Sequence, residues 1–110
     1  MSRRDTRLLV GDILTAVEKI DRYIEGLDRE RFLNDEKTID AVVRNFEIIG
    51  EATRQLPVEY TKQYPDIPWG HMIGLRNRIV HEYFGLDLDL IWEIVKSDLP
   101  GLREQIARLE

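Results

Sequence analysis

Apolar residues recur three and four positions apart along nearly the whole chain, and no stretch shows the strict alternation of a half-buried strand. A chain patterned this way buries its apolar surface by packing helix stripes against one another, so the fold class is all-α. Leu9, Ile13, Val17, Ile20, Ile24 and Leu27 form the first stripe, while Arg7, Asp12, Glu18, Lys19 and Arg22 fall off it. This pattern predicts a surface helix over about residues 5–26. The stretch 27–33 reads either as a loop or as one extra turn capped by Asp28. Asn34 or Asp35 caps a second long helix carrying Ile39, Val42, Val43, Phe46, Ile49 and Thr53, which Pro57 ends near Leu56. Gly50 stands inside that helix and weakens it.

Residues 58–64 predict a short helix between prolines, and Pro65-Asp66-Ile67-Pro68 is the strongest turn signal in the chain. Pro68 suits the first position of a third long helix, expected to run to about Phe84, with Gly85 at the left-handed position after its end. Gly70 and Gly74, four apart, are expected to let another helix approach closely. Asp87 or Asp89 caps the last helix, and Pro100-Gly101 is expected to break or kink it before Leu102, Ile106 and Leu109. The expectation is one domain spanning 1–110, a bundle of four longer helices with short additions.

A composition of 43% hydrophobic and 34% charged residues excludes disorder through low hydrophobicity. No apolar run approaches the roughly 18 residues a bilayer span needs, and the basic start is not followed by a signal-type apolar run. Cysteine is absent, so disulfides and thiolate metal sites are excluded. A cytoplasmic protein without metal or other cofactor is the expectation. The net charge of −5 argues against a general nucleic-acid coat, which carries a broad basic surface. Yet residues 68–86 are locally positive, with Arg76 and Arg78 against Glu82. Such a segment suits a small anion or a short stretch of RNA better than a long duplex.

Chemistry concentrates in Arg76-Asn77-Arg78-Ile79-Val80-His81-Glu82-Tyr83, and both histidines, His71 and His81, fall in or near it. On a helix Asn77 and His81 stand one turn apart, so the amide can orient the imidazole. A histidine titrating near neutrality can serve as general acid or base, and Arg76 and Arg78 lower the cost of a nearby phosphate. The structural alternatives are an imidazole hydrogen-bonded on a helix flank, arginines in weak surface pairs, and a buried polar network of Arg76, Asn77 and His81. Tyr83 reads as half-buried packing, His71 as structural, and Trp69 and Trp92 as core or interface anchors. The two histidines make no helix-face metal pair. Arg76 and His81 lie about 140° apart around one helix and cannot easily grip one phosphate from a single chain. Two copies across a two-fold axis could, which predicts a homodimer with a shared cleft.

The motif of Arg76-Asn77, three residues, His81, one residue and Tyr83, followed by Phe84-Gly85, resembles the HEPN superfamily of helical domains. It looks most like the HepT-type toxins of toxin–antitoxin pairs, and Ile67-Pro68-Trp69, Ile91-Trp92 and Leu99-Pro100 fit too. The likeness covers Leu9 to about Ile106. It implies a HEPN-like bundle acting as a homodimeric, metal-independent endoribonuclease of a type VII-like pair. By the resemblance, Arg76 would hold the scissile phosphate of the RNA substrate, with Asn77 and Arg78 in support. His81 would act as general base or acid for attack by the RNA 2′-hydroxyl. It further implies a minimal nucleotidyltransferase antitoxin that attaches AMP to Tyr83, about 20° from Arg76 around the helix. The competing reading is a non-catalytic docking module and modification target for such an enzyme.

Overall fold

Four aspartates set where helices begin, each accepting one of the backbone N–H groups that the first turn leaves without a partner. In the computed structural model, which describes residues 4–79 and 85–110, Asp5 accepts from Arg7 N–H at 2.8 Å and opens α1, Thr6–Ile24. Asp28 accepts from Arg31 N–H at 2.8 Å and opens α2, Arg29–Leu33, so the 27–33 stretch contains the extra turn. Asp35, rather than Asn34, caps α3, Glu36–Arg54, and Asp87, rather than Asp89, caps the last helical run. Asp35 accepts from both the Thr38 hydroxyl, at 2.7 Å, and the Thr38 N–H, at 3.0 Å. These bonds, the hydroxyl first, hold its carboxyl below the ordinary carboxylate range.

α1 and α3 form the most extensive helix pair. Ile13, Val17, Ile20, Val42, Phe46 and Ile49 are fully buried, each contributing on the order of 1.5–3 kcal/mol of transfer free energy. The two buried polar side chains of α3, Asn45 and Thr53, bond back to the carbonyls of Ala41 and Ile49, at 2.9 and 2.7 Å. Beyond Pro57 the chain forms α4, Val58–Lys62, and turns at Pro65–Pro68 into α5, Trp69–Ile73. Trp69 fastens this turn: its indole N–H donates to the carbonyls of Thr61 and Tyr64, at 3.1 and 3.0 Å.

The helix expected over 68–84 is divided. α5 ends at Gly74, where ψ opens to 0°, and α6 follows over Leu75–Ile79. Residues 80–84 lie outside the described residues. Gly70 and Gly74 do not admit a second helix either. A Cβ at Gly70 would meet nothing within 4 Å, and one at Gly74 would meet carbonyls of its own helix turn. The close approach is at Gly50, where a Cβ would lie 3.3 Å from the Met72 and Ile73 carbonyl oxygens of α5.

At Pro100-Gly101, where a break or kink is expected, the helix does not break. α7, Leu88–Glu93, runs through a π-helical turn, Ile94–Asp98, into α8, Leu99–Ala107. Leu99 N–H bonds the Ile94 carbonyl five residues back. Pro100 has no N–H to donate and its ring would crowd the carbonyl four residues earlier, so a wider turn accommodates it without ending the helix. The extra residue in that turn also keeps Leu99, Leu102 and Ile106 on the buried side with Ile91. α2 meets α7 through the Phe32–Trp92 ring pair at 5.2 Å and the Arg29–Asp89 ion pair. Lys96 sits 5.4 Å over the Trp92 ring, a basic neighbour that sequence spacing did not assign to it. Among the described residues no helix is long and apolar enough to cross a membrane.

Two outcomes test this packing. Gly50→Leu should lower unfolding free energy by about 1–3 kcal/mol in a urea titration, because the new side chain forces α5 off α3; unchanged stability would contradict the contact. Thr38→Val should raise the Asp35 midpoint in an NMR pH titration. A depressed carboxyl stabilises the fold above its unfolded-state value and loses that contribution as pH falls through the folded-state value. The variant should therefore lose stability at neutral pH and lose less of it on acidification.

Candidate functional site

α6 turns Leu75 and Ile79 into the core, at 5% and 1% exposure, and leaves Arg76, Asn77 and Arg78 on the surface. The i, i+4 spacing of the apolar pair points one face of this short helix inward and the polar trio outward. Arg76 is 66% exposed in its side chain, and its Nε lies 3.2 Å from Oε2 of Glu47 on α3, itself 42% exposed. The third reading of the motif, a buried polar network, therefore fails for Arg76 and Asn77.

Arg76 lines an open cleft of about 450 Å³ together with Arg4, Asp12, Arg44, Glu47 and Glu51. Most of its charge is internally paired. Arg4 grips Asp12 through two nitrogens, at 2.6 and 3.0 Å, and Glu51 pairs with Arg54 at 2.6 Å. Among the described residues Arg44 is in none of the ion pairs. What is left is two arginines, Arg44 and Arg76, around one carboxylate, Glu47.

Arg78 does not join them. Two residues along a helix is a turn of about 160° the other way, and Arg78 lines a separate cavity of about 480 Å³ with His71, Ser97, Asp98 and Gln105. Within one chain, Arg76 and Arg78 therefore line different cavities. His71 is exposed at that second cavity rather than buried as a core histidine. His81 and Tyr83 lie outside the described residues. The flanks of their segment are nevertheless tied together: Asp87 N–H donates to the Ile79 carbonyl at 2.8 Å. Gly85, at φ 134°, makes a turn that a side chain would strain. The Asp87 carboxylate then accepts from Leu90 N–H at 3.1 Å, so one residue joins the end of α6 to the start of α7.

Glu47 and Arg44 are the site residues that sequence reasoning missed. Both fall off the apolar stripe of α3. Their one signal was the i, i+3 spacing that puts them on a common side; which helix faces that side is a tertiary matter. Among the described residues no group of three or more His, Asp or Glu is placed to hold a metal ion.

The described residues thus form a helical bundle that holds an arginine toward solvent over a partly paired cleft. The family model described as ribonuclease HepT-like matches residues 13–109, and the chain belongs to that family. It is 38% identical over 106 residues to a Methanocaldococcus jannaschii protein provisionally named an RNase, covering 96% of this chain and 97% of that one. A Thermococcus cleftensis protein provisionally named ribonuclease HepT is 37% identical over 107 residues, 97% of each chain. A bacterial relative from Caldanaerobacter subterraneus, also provisionally named an RNase, is 35% identical over 97 residues, 88% of this chain and 87% of that one. No solved structure matches the chain.

The exposed position of Arg76 has a direct consequence for stability. Arg76→Ala should change unfolding free energy by no more than about 0.5 kcal/mol, because exposed pairs contribute little. Ile79→Ala, one turn away, should cost about 2–5 kcal/mol. Urea unfolding of both variants checks this, and a large loss for Arg76→Ala would mean the arginine is structural.

Proposed function

We infer that this chain is an endoribonuclease that cleaves RNA without a metal, at a site completed by two copies of the chain. It acts as the toxin of a cytoplasmic toxin–antitoxin pair, with residues 1–110 forming one domain. The observation that carries the reading is Arg76, held exposed over an open cleft in a member of a ribonuclease family. Arg76 holds the scissile phosphate and stabilises the charge that grows on it during attack. His81 takes the proton of the RNA 2′-hydroxyl as its oxygen bonds to phosphorus, and Asn77 orients the imidazole. The bond to the 5′-oxygen breaks, that oxygen takes a proton from the His81 imidazolium or from water, and a 2′,3′-cyclic phosphate and a 5′-hydroxyl remain. DNA lacks the attacking group and is left intact.

The spacing of Arg76 and His81 in the sequence supports a homodimer in which the arginine of one copy and the imidazole of the other share a phosphate. Arg78, turned to the other cavity, would support RNA binding only through its charge. A minimal nucleotidyltransferase antitoxin would attach AMP to Tyr83. The adduct puts negative charge and bulk where the substrate phosphate must sit, which supports its use as the off-switch.

RNA cleavage in chelator, with wild type and His81→Ala shown adduct-free by intact mass, tests the reading. The wild type should cleave, and His81→Ala should lose about 10²–10⁴-fold. Equal activity in both would reveal a contaminant, and no cleavage by either across several RNA pools would favour the docking module. With a nucleotidyltransferase and ATP the wild type should gain one AMP and fall silent, whereas Tyr83→Phe should keep its mass and its activity.

A further inference from the structure

The cleft beneath Arg76 holds more than the motif needs. Once Arg4 is neutralised by Asp12 and Glu51 by Arg54, its remaining charges among the described residues are Arg44, Glu47 and Arg76. Arg44 and Glu47 stand three residues apart on α3, so their side chains rise from one face of that helix. Glu47 reaches Arg76 on α6 at 3.2 Å, and Arg44 lines the same cleft.

We propose that this cleft between α1, α3 and α6 is an RNA-backbone site, in which Arg44 holds a phosphate next to the one held by Arg76 and Glu47 positions the Arg76 guanidinium between them. The inference rests on the ribonuclease reading and says where the RNA runs. A 66%-exposed arginine otherwise samples many rotamers, and its contact with Glu47 narrows them at one nitrogen of a fork that carries five N–H donors. The remaining donors suit the planar, two-point grip that a phosphate accepts. The carboxylate engages only Nε and both groups are exposed, so the other guanidinium nitrogens stay open to an arriving phosphate while the contact persists. Glu47 thus has two opposed effects: it keeps Arg76 aligned for chemistry and repels the RNA it helps to cut. Arg44 has a single effect, which is attraction for the chain beyond the scissile bond.

These roles predict different signatures in steady-state cleavage of a single-stranded RNA. Arg44→Gln should raise KM by about fivefold and leave kcat alone. Glu47→Gln should lower KM and lower kcat, each by about threefold to fivefold, a split that a structural residue would not produce. Binding of the same oligonucleotide, followed in a His81→Ala background to prevent cleavage, adds a second readout. The slope of log affinity against log salt should flatten by about 0.7 for Arg44→Gln and steepen by a similar amount for Glu47→Gln. Arg103→Gln, which breaks the Arg103–Asp21 pair outside the cleft, serves as the control, and equal melting temperatures establish that all variants are folded. If the wild type cleaves and Arg44→Gln and Glu47→Gln both track the control, this inference falls and the ribonuclease reading stands. If the wild type neither binds nor cleaves RNA, both fall together.

Discussion

The backbone of α5 lies directly against α3 at Gly50, and the placement of the site follows from that contact. Any side chain at position 50 would press on the Met72 and Ile73 carbonyls from 3.3 Å, so the bare helix face sets how near α5 can lie. Glu47 is one turn earlier on the same face of α3, and Arg76 is carried on α6 immediately after α5. The approach that glycine permits is therefore also the approach that brings guanidinium and carboxylate within reach. Moving α5 outward by even a side chain's width would leave Arg76 without its guide. A residue that weakens α3 as an isolated helix thus organises the tertiary structure around it.

Arg76 and Arg78 show how little a short motif specifies by itself. They are two positions apart and chemically identical, yet they serve different cavities because the helix turns them to opposite sides. The inward grip of Leu75 and Ile79 fixes that rotation, since both must be buried for α6 to remain on the core. Beyond it, the hydrogen bond from Asp87 N–H to the Ile79 carbonyl brings the start of α7 to the end of α6.

Charge in this acidic molecule is arranged as local pairs rather than as a broad field. Exposed pairs such as Arg4–Asp12 and Arg54–Glu51 add little to stability, but they cancel charges that would otherwise compete in the cleft. A chain of net charge −5 can thereby keep a small cationic spot available to an anion. Weak pairing at Glu47 fits the same scheme, because a partner that held Arg76 tightly would exclude the ligand.

Helix content, capping aspartates and the inward stripes were legible in the sequence, because 3.6-residue periodicity and N-cap chemistry act over a few neighbouring residues. Arg76, Asn77 and Arg78 could be recognised as a cluster for the same local reason. The division of the motif helix at Gly74, and the passage of the last helix through Pro100 by way of a π turn, could not be read, because each depends on how the neighbouring turns must face the core. Nor could the partnership of Glu47 with Arg76, or the presence of Arg44 in their cleft. Those residues are 29 and 32 positions from Arg76 in the chain, and only the packing of α5 and α6 onto α3 brings them together. Local periodicity determined which surfaces had to be buried, while long-range packing decided which charges would meet once they were.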